Sequence, residues 1–385
     1  MSRPATPLLI LVAVLLAANG ILATSLPLGW ARDGLSSRTI ALFGACLYTG
    51  VLLGGLAGQS LVTRMGCRRS FIIFIAVFAA MNASFLLPGH PVLFAAARIG
   101  AGAAIAGLYL LIESRMNTIA APAHRQRLLA LYMIIVYAAQ ATGSAVAGLI
   151  PTISLLSALA LIVSCMFWWS SFPSKPAMMA TAPVGATRDL VALLKSSSAA
   201  LVVGLAAGIS LSCFYGMGPL FATAALKDGS LAGIFMAMAM IGGMLGLAVT
   251  GGVSDRLGTG TSLSTALLAT AMTSFMLAAS IDRSTSCIMI IAMLFGASAF
   301  SLYPLGSAAM NAAAPAAQRI TANSVFIVTT GLGGMAGPLV ANALPRAVAT
   351  QAPFLVIGAA TLIGSLFVLV RLFVTPAGTS RSCHN

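Results

Sequence analysis

The chain has 385 residues, 59% of them hydrophobic and only 7% charged, with a formal net charge of +14. Soluble domains carry about 25% charged residues, so most of this surface is not built for water and a soluble enzyme is excluded. The basic residues stand singly in short turns, with no continuous stripe and no interleaved aromatic platform, which argues against a nucleic-acid binder despite the positive balance.

A membrane-spanning helix needs about 20 mainly apolar residues. The first such run, 7–26, follows Arg3 and matches the later runs in length, so it reads as a span and not as a secretory leader. Runs at 39–62, 71–87, 92–112, 128–150 and 153–172 follow, joined by short connections. Residues 173–198 break the pattern with Pro173, Pro176, Pro183, a serine run and the charges Lys175, Arg188, Asp189 and Lys195. Six more runs complete the chain, at 199–224, 231–253, 263–281, 287–310, 320–344 and 354–373. The expected organisation is an N-terminal six-helix bundle (1–172), a cytoplasmic linker (173–198) and a C-terminal six-helix bundle with a short tail (199–385). That is an all-α integral membrane fold of 12 transmembrane helices.

Short cytoplasmic loops retain Lys and Arg. With the N-terminus inside, the outer segments hold only Arg32, Arg38, Lys227, Arg283 and Arg346. Every other Lys and Arg falls inside, except Arg98, which sits within a span. Both termini are therefore expected in the cytoplasm, with the chain in a bacterial inner membrane.

The halves echo each other. The turn at 58–69, GQSLVTRMGCRR, returns at 251–258 as GGVSDRLG, with Arg64-Met65-Gly66 matching Arg256-Leu257-Gly258 at an offset of 192 (256 − 64). Pro27-Leu28 matches Pro219-Leu220, and Gly54 matches Gly246, at the same offset. Tyr109, Met116-Asn117 and Arg125 match Tyr303, Met310-Asn311 and Arg319 at 194. Two parallel six-helix repeats are expected, a layout of many secondary transporters.

These residues carry a resemblance to the major facilitator superfamily. The 58–69 turn resembles its signature loop between the second and third helices, G-x-L-a-D-R-x-G-R-[RK], with Arg64, Gly66, Arg68 and Arg69 in place, Gln59 for the first Gly and Thr63 for the Asp. The second copy keeps Gly251, Asp255, Arg256 and Gly258, and Arg98 with Gly102 resembles the superfamily's R-x-x-x-G element. Glu113-Ser114-Arg115-Met116-Asn117, followed by Arg125, Arg127 and Tyr132-Met133, is similar to the E-S-W-L-N…R-G-R…Y-M run of the YcaD-like branch. The segments Phe214-Tyr215-Gly216-Met217-Gly218-Pro219 and Tyr303-Pro304-Leu305 are similar to it too. Arg115 replaces the branch's Trp and Gln126 its Gly. The resemblance implies that the first, fourth, seventh and tenth helices surround a central site.

Arg98 lies roughly 10 Å inside its span by helical rise. A charge at that depth is costly unless it faces a partner or a wet cavity, so it either lines the central cavity, for an anionic group or proton coupling, or is a structural Arg satisfied by carbonyls. Its expected neighbours in that cavity are Asn19, Tyr109, Ser212, Tyr215 and Tyr303, with Tyr137 and Gln140 on one face of the fifth span. Met236, Met238, Met240 and Met244 read more readily as packing than as a cavity wall.

Glu113, Arg64, Arg68, Arg69, Arg125, Asp255, Arg256 and Arg319 are expected to form a cytoplasmic gate, Glu113 pairing with Arg64 and Arg125. Asp255 is placed to cap the fifth helix and Thr63, through its hydroxyl, the eleventh, which makes the latch lopsided. Residues 331–338, GLGGMAGP, read as close packing and a kink.

The six cysteines are scattered and the three histidines have no ligand spacing, so neither a disulfide framework nor a metal site is expected. The absence of G-x-x-x-x-G-K-[ST] argues against ATP-driven transport, and no catalytic set or cofactor motif is present. The sequence thus points to a monomeric secondary transporter moving a small organic solute by alternating access, coupled to protons and leaning to efflux. Uniport or anion exchange stays open because the interior is poor in acid. A non-transporting sensor or scaffold of the same fold is the alternative.

Overall fold

The computed structural model describes residues 5–87, 89–119, 125–150, 154–172, 197–314 and 319–374. Residues 173–196 of the expected linker lie outside them. The first half comprises α1 (Ala5–Arg32), α2 (Ser37–Met65), α3 (Cys67–Ala83), α4 (Pro91–Ile119), α5 (Arg125–Leu149) and α6 (Ser154–Ser164). The second comprises α7 (Ser198–Leu226), α8 (Leu231–Leu257), α9 (Thr259–Ala278), α10 (Thr285–Ala299), α11 (Leu302–Ala313), α12 (Arg319–Ala343) and α13 (Ala352–Val374). Among the described residues the protein is all-helical, and 11 helices are long and apolar enough to cross a membrane, α10 and α11 counting as one. Apolar side chains such as Leu245, Val249, Ile363 and Val370 are half or more exposed around the rim, as expected where hydrocarbon is the solvent.

The sixth span departs from expectation. It is an 11-residue α-helix continued by a seven-residue 3₁₀ segment, Cys165–Ser171. At the rises of the two helix types the pair reaches about 30 Å, enough for a bilayer core of about that thickness. Its last carbonyls are taken up by arginines: Arg68 Nε donates to the Phe172 carbonyl at 3.2 Å, and Arg115 Nε to that of Ser171 at 3.2 Å. The Arg68 guanidinium also lies 4.7 Å from the Trp169 ring centroid.

The tenth span is interrupted between Ala299 and Leu302. The cause is Pro304. In an unbroken helix the N–H at position 304 would donate to the Phe300 carbonyl, and proline has none. That carbonyl is therefore free for another donor.

The repeat is visible in the backbone. Gly66 has φ 81 and ψ 157, and Gly258 has φ 78 and ψ 156, a region open essentially to glycine alone. It recurs in the packing as well. A Cβ on Gly50 or Gly54 of α2 would strike the carbonyls of Ile99 or Ala103 on α4, and one on Gly242 or Gly246 of α8 would strike those of Met293 or Ala297 on α10. The α1–α5 approach at Gly20 and Gly143 has its counterpart at Gly208 and Gly333 between α7 and α12.

The halves meet along two further pairs, α2 with α12 and α5 with α8. Residues 331–338 serve the first: Gly331 and Gly334 receive the side chains of Leu52 and Tyr48, while Pro338 lies over Gly44. At the second, a Cβ on Gly148 would meet the Ser230 carbonyl and one on Gly233 that of Ser144. Both clamps lie toward the end that carries Ser36 and Ser230, away from Gly66 and Gly258.

Adding a Cβ at Gly54 or Gly246 is expected to lower the thermal midpoint of the detergent-purified protein by a similar amount, equivalent to about 1–3 kcal/mol or more. Gly29→Ala, where a Cβ meets nothing within 4 Å, should leave the midpoint unchanged or raise it. Unequal losses for the two interior glycines would count against equivalent packing in the repeats.

Candidate functional site

A cavity of about 250 Å³ lies where five helices of the first half face α7. Each helix contributes one face at helical spacing. These are Asn19, Leu22 and Ala23 from α1; Gly44, Leu47, Tyr48 and Val51 from α2; Phe78 and Asn82 from α3; Arg98, Ile105 and Tyr109 from α4; Val136, Tyr137 and Gln140 from α5; and Leu211, Tyr215 and Gly216 from α7.

Arg98 is 9% exposed, with its guanidinium 5.7 Å from the centroid of the Trp30 ring. Its Nε has no hydrogen-bond partner. Asn82, fully buried, donates from Nδ2 to the Phe78 carbonyl at 2.8 Å and leaves Oδ1 unpartnered. Among the described residues no Asp or Glu lines the cavity. A buried unpaired donor or acceptor costs about 1–3 kcal/mol, more when charged. The cavity therefore presents a guanidinium Nε and an amide oxygen whose partners the described residues do not supply.

The wall toward the second half is aromatic and hydrogen-bonded across the interface. Phe300 is flanked by Tyr137 and Tyr215, at centroid distances of 5.5 and 6.1 Å and interplanar angles of 22° and 16°. The Tyr137 hydroxyl donates to the Phe300 carbonyl at 3.4 Å, the group that Pro304 leaves free. The Tyr215 hydroxyl donates to Gln140 Oε1 at 3.2 Å. Ser144 donates to the Gly20 carbonyl at 3.1 Å and lies 3.9 Å from Met240 Sδ.

Six of the eight residues expected in the cavity are brought together here: Asn19, Arg98, Tyr109, Tyr137, Gln140 and Tyr215. Ser212 and Tyr303 are not among the lining residues. Ser212 is fully buried and donates to the Ile209 carbonyl at 3.1 Å. Tyr303 packs 5.3 Å from Phe326 and is 37% exposed. Tyr48 and Asn82 were missed, because they stand on the second and third spans, outside the four helices that the resemblance marks as central. Met236 and Met240 are fully buried in the second-half core.

Of the expected gate, the side chains of Arg64, Arg68, Arg69 and Glu113 fall within the described residues. Arg64 and Arg69 are exposed. Arg68 is engaged at the end of the sixth span. Glu113, about four turns beyond Arg98 on α4, is exposed and accepts a long hydrogen bond from Tyr132 at 3.5 Å. Among the described residues its partner is thus Tyr132, not Arg64. The Thr63 hydroxyl donates back to the Ser60 carbonyl at 2.9 Å in its own helix. The side chains of Arg125, Asp255, Arg256 and Arg319 lie outside the described residues. Among the described residues no group of His, Cys, Asp or Glu is placed to hold a metal.

If Tyr137 holds the freed carbonyl, Tyr137→Phe should cost about 0.5–1.5 kcal/mol of thermal stability. The loss should shrink in a Pro304→Ala background, where the restored N–H takes the Phe300 carbonyl. A double-mutant cycle on unfolding midpoints reads this coupling. Equal losses in both backgrounds would rule the coupling out.

A family model described as "Major Facilitator Superfamily" matches residues 8–302 and 200–382. An uncharacterized MFS-type transporter of Yersinia pestis (strain Pestoides F) is 24% identical over 377 residues, covering 96% of each chain. The MFS-type transporter YcaD of Shigella flexneri serotype 5b is 25% identical over 390 residues, covering 97% of each. Among solved structures, the nucleoside transporter NupG superposes with a TM-score of 0.79 at 15% identity, covering 96% of this chain and 98% of that one. A D-xylose-proton symporter superposes with a TM-score of 0.73 at 16% identity, covering 94% and 96%.

Proposed function

The chain belongs to the Major Facilitator Superfamily, and from that premise we propose that it is a secondary transporter of a small organic solute bearing an anionic group. It is a multi-pass membrane protein of a transporter family, not an enzyme. The observation that carries the proposal is Arg98. A buried guanidinium with an unpartnered Nε, in a cavity without a carboxylate, is best satisfied by a charge that the solute brings. The apolar remainder of the lining suits an organic body, and the space is that of about eight waters.

The proposed cycle is alternating access, the two halves rocking about the cavity. The end bearing Gly66 and Gly258 is taken as cytoplasmic, with both termini on that side, in a bacterial inner membrane. On this reading the clamps at Gly148–Ser230 and Gly44–Pro338 close the periplasmic side. The exposure of Glu113 and Tyr303 fits a vestibule open to the cytoplasm. Energy is proposed to come from the proton gradient, with efflux as the working direction and the protein acting as a monomer. A second reading, uniport or anion exchange, is favoured by the lack of any carboxylate in the cavity lining.

A thermal-shift screen of the purified protein against organic anions and neutral solutes identifies the ligand class. Flux of the hit in proteoliposomes, with and without a pH gradient, then separates proton coupling from exchange. Arg98→Ala is expected to abolish flux while leaving the thermal midpoint unchanged or higher, because it removes an uncompensated buried charge. Wild-type flux in that variant would remove Arg98 from the solute site. Lost flux with a lower midpoint would assign it a structural role.

A further inference from the structure

A second concavity, of about 490 Å³, opens on the circumference of the second half between α8, α9 and the α10–α11 pair. Gly242, Gly246, Ala266, Ala269 and Ala297 hollow it out. Leu245, Val249 and Leu294 form its lips and are 50%, 62% and 47% exposed. It shares no lining residue with the Arg98 cavity.

Its chemistry selects the occupant. Among the described residues no charged one lines it. Each of its five hydroxyls already donates to a carbonyl of its own helix: Ser262 to Gly258 at 2.9 Å, Thr265 to Thr261 at 2.8 Å, Thr273 to Ala269 at 2.8 Å, Ser298 to Phe295 at 3.0 Å and Ser301 to Ala297 at 2.8 Å. An anionic or carbonyl-bearing ligand would find no free hydroxyl donor among them. The concavity lies within spans, at a depth where the medium is hydrocarbon. From Ser262 to Thr273 it runs three turns of α9, about 16 Å, starting one turn from the Gly258 bend.

We infer that this groove is a binding site for one acyl chain of a bilayer lipid, entering from the membrane surface at the Gly258 end. The chain has a structural consequence. It lies against Ser298 and Ser301, which bracket the break in the tenth span, and Phe300 between them carries the carbonyl bonded by Tyr137. The lipid thus backs a helix whose interruption supplies an interfacial hydrogen bond.

The test uses the full-length protein in membranes containing a phosphatidylglycerol with a diazirine at mid-chain. Photolabelling followed by peptide mass spectrometry should mark α9 and α10 residues at the groove several-fold more than the equally lipid-exposed Ile363–Leu366 face of α13. Ala269→Trp, which fills the groove from an exposed position, should bring groove labelling down to the α13 level, while Leu366→Trp should not change it. In a second readout, adding phosphatidylglycerol to delipidated protein should raise the thermal midpoint of the wild type and of Leu366→Trp, but not that of Ala269→Trp. A chromatographic profile matching the wild type shows that Ala269→Trp has folded. Equal labelling of the two faces in the wild type, or a lipid response undiminished in folded Ala269→Trp, would overturn the proposal. A misfolded Ala269→Trp is replaced by Thr273→Phe, read the same way.

Discussion

Helices surrounded by lipid gain little from hiding apolar surface from one another, so they are held by shape and by backbone contact. In this protein that constraint falls on glycine. Gly50 and Gly54 let α2 lie on the carbonyls of α4, and Gly242 and Gly246 do the same for α8 on α10. Where larger residues meet the same surfaces they need a glycine to receive them, as Leu52 and Tyr48 find at Gly331 and Gly334. The position of every cavity-lining side chain on α2 and α4 follows from this close approach. A helix pair even slightly further apart would move Tyr48 and Arg98 away from the same space.

The same economy of backbone groups explains the aromatic wall. A proline in a span leaves a carbonyl that hydrocarbon cannot satisfy, and a neighbour has to supply the donor. Pro304 creates the demand at Phe300, and Tyr137 meets it from the other half of the molecule. If the halves rock as proposed, a bond across their interface must break or move with them. A hydroxyl-to-carbonyl bond is worth about 0.5–1.5 kcal/mol, enough to bias such an equilibrium and too little to lock it.

Much of this was legible in the sequence, because membrane spans and repeats are written in composition and spacing. Gly66 and Gly258, aligned by number alone, share one backbone conformation, and Gly54 and Gly246 share one packing role. Arg98 was legible because a charge in an apolar run has few reasons to exist. Other features depended on three-dimensional neighbours. The sixth span ends in a 3₁₀ segment whose last carbonyls accept from Arg68 and Arg115, and neither contact is local. Tyr48 and Asn82 look like ordinary polar residues until helix packing turns them toward Arg98. Tyr303, just after the helix break, packs against Phe326 and is not among the cavity's lining residues.

The distribution of charge bears on how the proposed transport would be driven. Arg98 and Glu113 share α4, yet roughly 22 Å of helix separates them, and Glu113 has Tyr132 as its neighbour instead. A carboxylate at that range cannot neutralise the guanidinium directly. If protons drive the cycle through Glu113, the coupling has to pass through the movement of the halves and not through competition for Arg98. If the solute's own charge is the counterion, Arg98 is satisfied only while loaded. The empty carrier then bears the desolvation penalty, and return without cargo is disfavoured. That asymmetry is the physical basis of obligatory exchange. On the proposed reading it follows from a buried cation whose Nε has no partner among the described residues.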